Sequence, residues 1–245
     1  MLIEALKIMP SVMITRPKGP AKALADILAD LGYLSICEPL LRIQLDPKPI
    51  DCSGVQAVVF TSANAVTSFC KKNTEHGFTA FAVGHATASE ARRNKFSVVY
   101  QGTKGARALV DEILDKCSPE MGEILHVSGE EVKINVAAAL QEFGFKARRE
   151  VVYRAEPVER FSGSGFGALR KGTIDAVIFF SPRTGQTFAN LIQNAQMEGV
   201  CSTLRAVCFS KPVAAELNCL AWKDVIIARE PSTDSLVAAL RKCFN

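Results

Sequence analysis

The sequence lacks several of the patterns that announce a chemistry. No G-x-x-x-x-G-K-[ST] loop is present, which removes the commonest nucleoside-triphosphate site. The histidines His76, His85 and His126 share no metal-ligand spacing, and no serine sits in the G-x-S-x-G setting of a nucleophile elbow. Nor does any pair of carboxylates stand at a spacing that reads as an acid–base couple. Eight cysteines are scattered with no C-x-x-C, so they read as free thiols packed as small hydrophobes. A net charge of +4 is too small for a dedicated nucleic-acid binder yet comfortable for an anionic small molecule. No window approaches a membrane span. Met1-Leu-Ile-Glu-Ala-Leu-Lys-Ile-Met9 is interrupted by Glu4 and Lys7 and lacks the order of a signal peptide, so the expected compartment is the cytoplasm.

What the sequence does contain is an internal duplication. Ala57-Val-Val-Phe-Thr-Ser-Ala-Asn-Ala-Val-Thr-Ser-Phe69 aligns with Ala176-Val-Ile-Phe-Phe-Ser-Pro-Arg-Thr-Gly-Gln-Thr-Phe188, with five of thirteen positions identical. Leu28–Tyr33 likewise aligns with Leu140–Phe145, and Leu109-Val110 with Leu236-Val237. The offset grows along the chain, as it does when loops lengthen and elements stay. Two copies of this size in 245 residues predict two similar lobes.

Each copy alternates apolar runs with amphipathic stretches. Strands are expected at 12–15, 55–60, 81–84 and 97–100, then at 124–127, 175–180, 204–208 and 225–228. Helices are expected at 21–31, 64–71, 86–93 and 106–117, then at 132–143, 185–196, 213–220 and 233–243. Apolar strands alternating with helices predict parallel sheets covered on both faces. Glu38–Gln44 and Glu150–Glu156 stand outside the alternation at equivalent places and suit a two-stranded connector. Gly163-Ser-Gly-Phe-Gly167 has the wrong spacing and setting for a dinucleotide loop and reads as a flexible linker.

In such sheets ligands gather on the turns beyond the carboxyl ends of the strands. Those turns read Thr15-Arg-Pro-Lys18, Thr61-Ser-Ala-Asn64, Gly84-His-Ala-Thr87, Val127-Ser-Gly129, Ser181-Pro-Arg183 and Ser210-Lys-Pro212. Small residues and hydroxyls let backbone N–H groups approach a ligand, and the following helix adds the positive end of its dipole. With Arg16, Lys18, Arg183, Lys211 and Arg229 nearby, the pattern suits a ligand bearing several carboxylates or phosphates. Ser62, Ser128 and Ser181 equally fit plain helix N-caps, a role compatible with ligand contact. Glu130, Glu131 and Glu230 are expected to point outward. A bilobal protein that binds an anionic metabolite without chemistry fits these features as well as an enzyme does.

Ile14-Thr-Arg-Pro17, Phe60-Thr-Ser-Ala-Asn-Ala-Val66, Ala82-Val-Gly-His-Ala-Thr-Ala88, Val152-Tyr153, Phe179-Phe-Ser-Pro-Arg183 and Ala228-Arg-Glu-Pro-Ser-Thr-Asp-Ser-Leu236 together resemble the uroporphyrinogen-III synthase family. The resemblance spans roughly residues 12–243. It implies two α/β lobes joined by a two-stranded β-ladder: residues 1–37 plus 157–245, residues 44–149, and the ladder at 38–43 and 150–156. The implied reaction cyclises hydroxymethylbilane to uroporphyrinogen III, with inversion of ring D and loss of water. The implied enzyme is a cofactor-free cyclising hydro-lyase of haem biosynthesis. It is expected to be a monomer, with no nucleic-acid or membrane partner and with transient contact to the upstream deaminase.

Residue by residue, the resemblance carries Tyr153 as candidate proton donor to the departing hydroxyl, against a reading as a plain ladder residue. It carries Arg16, Ser62, Ala63, Asn64, Thr87, Ser128, Gly129, Ser181 and Pro182 as substrate-binding positions. Arg183 and Lys211 join them on charge and location. The chain departs from the family at Ser210-Lys-Pro-Val-Ala214, where a hydroxyl is expected and Val213 stands instead.

Overall fold

The computed structural model describes residues 9–74, 77–96, 98–102, 106–132 and 134–244, with the side chains of Lys18 and Val98 excepted. The expectations for Met1–Ile8, the Lys18 side chain, His76 and Ser97 fall outside the described residues. The chain opens with β1 (Ser11–Ile14), α1 (Lys18–Asp30), β2 (Leu34–Cys37) and β3 (Leu41–Leu45). Next come β4 (Val55–Phe60), α2 (Ala63–Cys70), β5 (Thr79–Val83), α3 (Gly84–Arg93), β6 (Val98–Gly102) and α4 (Ala106–Lys116). The second copy supplies β7 (Glu123–Gly129), α5 (Val136–Gln141), β8 (Ala147–Pro157), α6 (Gly163–Arg170), β9 (Ala176–Phe179) and α7 (Pro182–Asn194). It closes with α8 (Glu198–Cys201), β10 (Arg205–Cys208), α9 (Lys211–Ala215), β11 (Asp224–Ile227) and α10 (Thr233–Lys242).

Two compact units result, Met1–Arg42 with Glu156–Asn245, and Ile43–Ala155. The first holds a five-stranded sheet in the order β11-β10-β9-β1-β2, with every pairing parallel. Alternate side chains of its strands feed opposite faces, as the two-residue period requires. Met13, Val177 and Phe179 pack into one core, while Val12, Ile14 and Ile178 pack into the other. The second unit is built on a six-stranded sheet in the order β3-β8-β7-β4-β5-β6. Val58, Phe60, Leu125 and Val127 face one side, and Ala57, Val59 and Ile124 face the other. Burial on both faces explains why these strands read as unbroken apolar runs. The topology crosses the repeat: β1 pairs with β9, and β7 pairs with β4. At the edge of the second sheet β3 lies against β8 in the opposite sense, with Asp46 N–H donating to Val152 and Val158 N–H to Leu40.

The expected linker at Gly163–Gly167 is instead the first half of α6. Ser162 caps this helix by accepting the Gly165 N–H, and the buried Glu38 carboxylate accepts the Ser162 N–H at 2.7 Å and its hydroxyl. Gly165 lies flush against that carboxylate, where a Cβ would collide with it. Tertiary contact thus overrides the low helix propensity of three glycines. The helix expected from Val132 begins only at Val136, because Asn135 is its cap and accepts the Ala138 N–H.

Candidate active site

In the second unit the carboxyl ends of β4, β5 and β7 open onto a cavity of about 480 Å³. Thr61, Ser62, Val83, Ala106, Arg107, Gly129, Glu131, Val132, Ile134 and Tyr153 line it. That volume lies within the range of small-molecule sites. Three expected site residues meet here. Ser62 sits in extended backbone and caps α2, its Oγ accepting the Ala65 N–H at 3.1 Å. The same Oγ lies 2.9 Å from the Tyr153 hydroxyl. Because Ser62 already accepts one hydrogen bond, its own proton is free to go to the phenol oxygen. The phenol proton is then free to point into the cavity. Gly129 is buried beneath the Tyr153 ring, and a Cβ there would stand 2.5 Å from Cζ and 2.8 Å from the phenol oxygen. Only a glycine lets the ring lie where it does.

The remaining expected residues of this unit are arranged less directly. Ala63 and Asn64 form the half-buried first turn of α2, outside the cavity lining. Thr87 is 5 % exposed in α3, also outside the lining. Ser128 is fully buried in β7 and caps no helix. Its Oγ accepts from Arg149 Nε at 2.8 Å and donates to the Gly129 carbonyl at 3.0 Å. Glu130 and Glu131 are both exposed, as expected; Glu131 nevertheless lines the cavity, and Glu130 pairs with Arg154 at 3.4 Å.

The first unit gathers its own set at the carboxyl ends of the adjacent strands β1, β9 and β10. Arg16 lies 4.1 Å above the Phe180 ring, which packs in turn on Phe209 with centroids 5.4 Å apart. Burial lowers the Arg16 pKa below its ordinary value, and the aromatic face supplies part of the solvation that water would give. Ser181 heads α7 through a capping box: its Oγ accepts the Thr184 N–H, and Thr184 Oγ1 accepts the Ser181 N–H. Pro182 takes the first helical position, where its missing N–H costs nothing. Arg183 follows in the same turn, and Lys211 opens α9 exposed to solvent. Val213, at the departure from the family pattern, is 1 % exposed and packs in the core, so its side chain faces no ligand. A larger hollow of about 670 Å³ beside α6 and α7 gathers none of the expected residues.

A family model described as uroporphyrinogen-III synthase HemD matches residues 22–238. The chain belongs to the uroporphyrinogen-III synthase family. Among solved structures, the uroporphyrinogen-III synthetase of Helicobacter pylori superposes with a TM-score of 0.62 at 18 % identity, covering 96 % of this chain and 99 % of that one. A mutant uroporphyrinogen III synthase of the extremely thermophilic bacterium Thermus thermophilus gives a TM-score of 0.48 at 14 % identity, covering 96 % and 98 %. A search of curated proteins finds no match. The Helicobacter likeness supports the two-lobed α/β fold of the uroporphyrinogen-III synthase family. No helix among the described residues is long and apolar enough to cross a membrane.

Two residues outside the expected set bear on the site. Arg107 enters the cavity from the first turn of α4, after Gly102-Thr-Lys-Gly105, a stretch with the same small-residue and cation signature as the turns singled out. Arg149 supports the turn after β7 from the neighbouring strand. Nothing in the spacing separates it from Arg148, which pairs with Glu123 at 2.8 Å and Glu150 at 3.1 Å.

Proposed function

We propose that this chain cyclises hydroxymethylbilane to uroporphyrinogen III with Tyr153 as proton donor, and that the ring bearing the hydroxymethyl group enters the Ser62–Tyr153 cavity. The observation that carries this reading is the 2.9 Å contact between the Ser62 and Tyr153 hydroxyls over the bare backbone of Gly129. In the proposed step the Tyr153 phenol gives its proton to the departing hydroxyl, which leaves as water. The bond lost is the exocyclic carbon–oxygen bond, and an electrophilic azafulvenium cation remains. Ser62, donating to the phenol oxygen, stabilises the negative charge that develops there. Attack through the substituted carbon of ring D gives a spiro intermediate, which fragments and recloses with ring D inverted. The proton released when ring D regains aromaticity balances the one Tyr153 gave.

Turn backbones and cations are assigned to the eight carboxylates of the substrate. Arg107 serves the Tyr153 cavity, and Arg16, Ser181, Arg183 and Lys211 serve the first unit. Much of the rate and all of the isomer choice then come from holding one folded conformer of a flexible chain. No cofactor enters this scheme, and the protein works as a cytoplasmic monomer receiving its substrate from the upstream deaminase. The test is to generate hydroxymethylbilane in situ, add the protein, oxidise the products and separate the porphyrin isomers. Type III product is expected, and only type I above background refutes the reading.

A further inference from the structure

The parallel register of β7 and β8 slips at the cavity. Ser128 stands opposite Val151, but Gly129 stands opposite Tyr153, so β8 carries one extra residue there. Such a bulge re-aims side chains and leaves ladder groups in want of partners. Arg149 supplies them. Its Nε donates to Ser128 Oγ at 2.8 Å, and its Nη2 donates to the Gly129 carbonyl at 2.6 Å and the Glu130 carbonyl at 2.5 Å. One planar guanidinium thus engages three successive residues at the irregular end of β7, a geometry that an ammonium group cannot reproduce. Beyond the slip, the Glu130 N–H donates to the Tyr153 carbonyl at 3.0 Å, tying the same turn to the tyrosine's own backbone.

We infer that Arg149 is a positioning residue for Tyr153. It holds the Ser128–Glu130 turn so that Gly129 lies under the phenol ring and the hydroxyl reaches Ser62. Arg149 is outside the cavity lining and acts through the turn. The inference rests on the reading of Tyr153 as proton donor, and its test has an arm independent of activity.

Arg149→Met keeps the apolar stem and removes all five donors. Its expected effect is a fall in kcat of roughly 30-fold or more with KM within about threefold, since an ångström of misplacement is felt in the reacting geometry before it is felt in binding. Arg149→Lys should recover only part of the loss. Ser128→Ala, which removes one of the three acceptors, should give a smaller fall in the same direction; both serve if the methionine variant does not fold. Separately, protein labelled with 3-fluorotyrosine carries three reporters, Tyr33, Tyr100 and Tyr153. The Tyr153 fluorine resonance, assigned through Tyr153→Phe, should move in each Arg149 variant while the other two stay. A Tyr153 resonance that does not move overturns the inference. So does movement of all three, which would make Arg149 a support of the whole fold, and so does kcat within about twofold of wild type. If the wild-type protein forms no type III product, the synthase reading falls, and the fluorine spectra still decide whether Arg149 places Tyr153.

Discussion

His126 lies in the middle of β7 with 0 % exposure, and among the described residues neither ring nitrogen has a hydrogen-bond partner. Burial pushes its pKa down from 6.5 to about 4. Asn135 opposes the shift, and Arg149, the register partner of His126 on β8, adds to it by charge repulsion. The sign follows from proton counting. Between pH 4 and 6.5 the unfolded chain holds a proton on this histidine that the folded protein refuses, so stability is fully present above the upper value and is lost as pH falls toward the lower. Acidification through that whole window costs about 3 kcal/mol, of which roughly 2 kcal/mol falls between about pH 7 and pH 5. His126→Leu removes the group. Urea unfolding at about pH 7 and pH 5 should show the wild-type protein losing about 2 kcal/mol more than the variant, while the carboxylates common to both cancel in the difference. At neutral pH the variant should be at least as stable as wild type, because a buried polar group without partners has been replaced by an apolar one. Equal pH responses in the two proteins would refute the reasoning.

Tyr153→Phe should slow turnover without changing the isomer formed, and a wild-type rate would remove the proton-donor role. Gly129→Ala places a methyl group 2.5 Å from the Tyr153 ring carbon, so kcat should fall at least about tenfold as the ring is displaced, with the thermal midpoint nearly unchanged. Glu38→Ala removes the carboxylate that accepts the Ser162 N–H and hydroxyl at the head of α6, and denaturant titration should register a loss of about 2 kcal/mol. Arg16→Lys keeps the charge but gives up the planar stack on Phe180, so KM should rise about threefold or more while kcat holds; an unchanged KM would place the substrate elsewhere.

The fold was legible because its strands are buried on both faces, which leaves a signal that needs no partner to read. Ala176–Phe179 is wholly buried and wholly apolar, and the equivalent run in the first copy ends in Ala57–Phe60. At the edges the signal is uneven: β11 still reads as a strand at 225–228, but β2 does not. Leu34–Cys37 mixes half-buried with exposed positions, so its sequence shows neither an unbroken apolar run nor a clean alternation. The glycines before Arg170 look like a linker until Glu38, distant in sequence, is found bound to the residue that caps them.

The same division runs through the site. Local features were visible from spacing alone: Ser62 and Ser181 head helices because a hydroxyl after a strand is what a helix start needs. Contacts made across strands were not. Ser128 sits in a turn indistinguishable from the others by sequence, yet its hydroxyl is turned inward to Arg149 because the strand continues through it and no helix begins there. Glu131 is exposed to solvent and yet lines the cavity, because an argument from ligand charge says nothing of where the chain after β7 must run. Its place in the cavity lining, together with Arg107, makes that cavity mixed in charge and hence a poor general anion trap. A surface that merely bound polyanions would have no use for a carboxylate there.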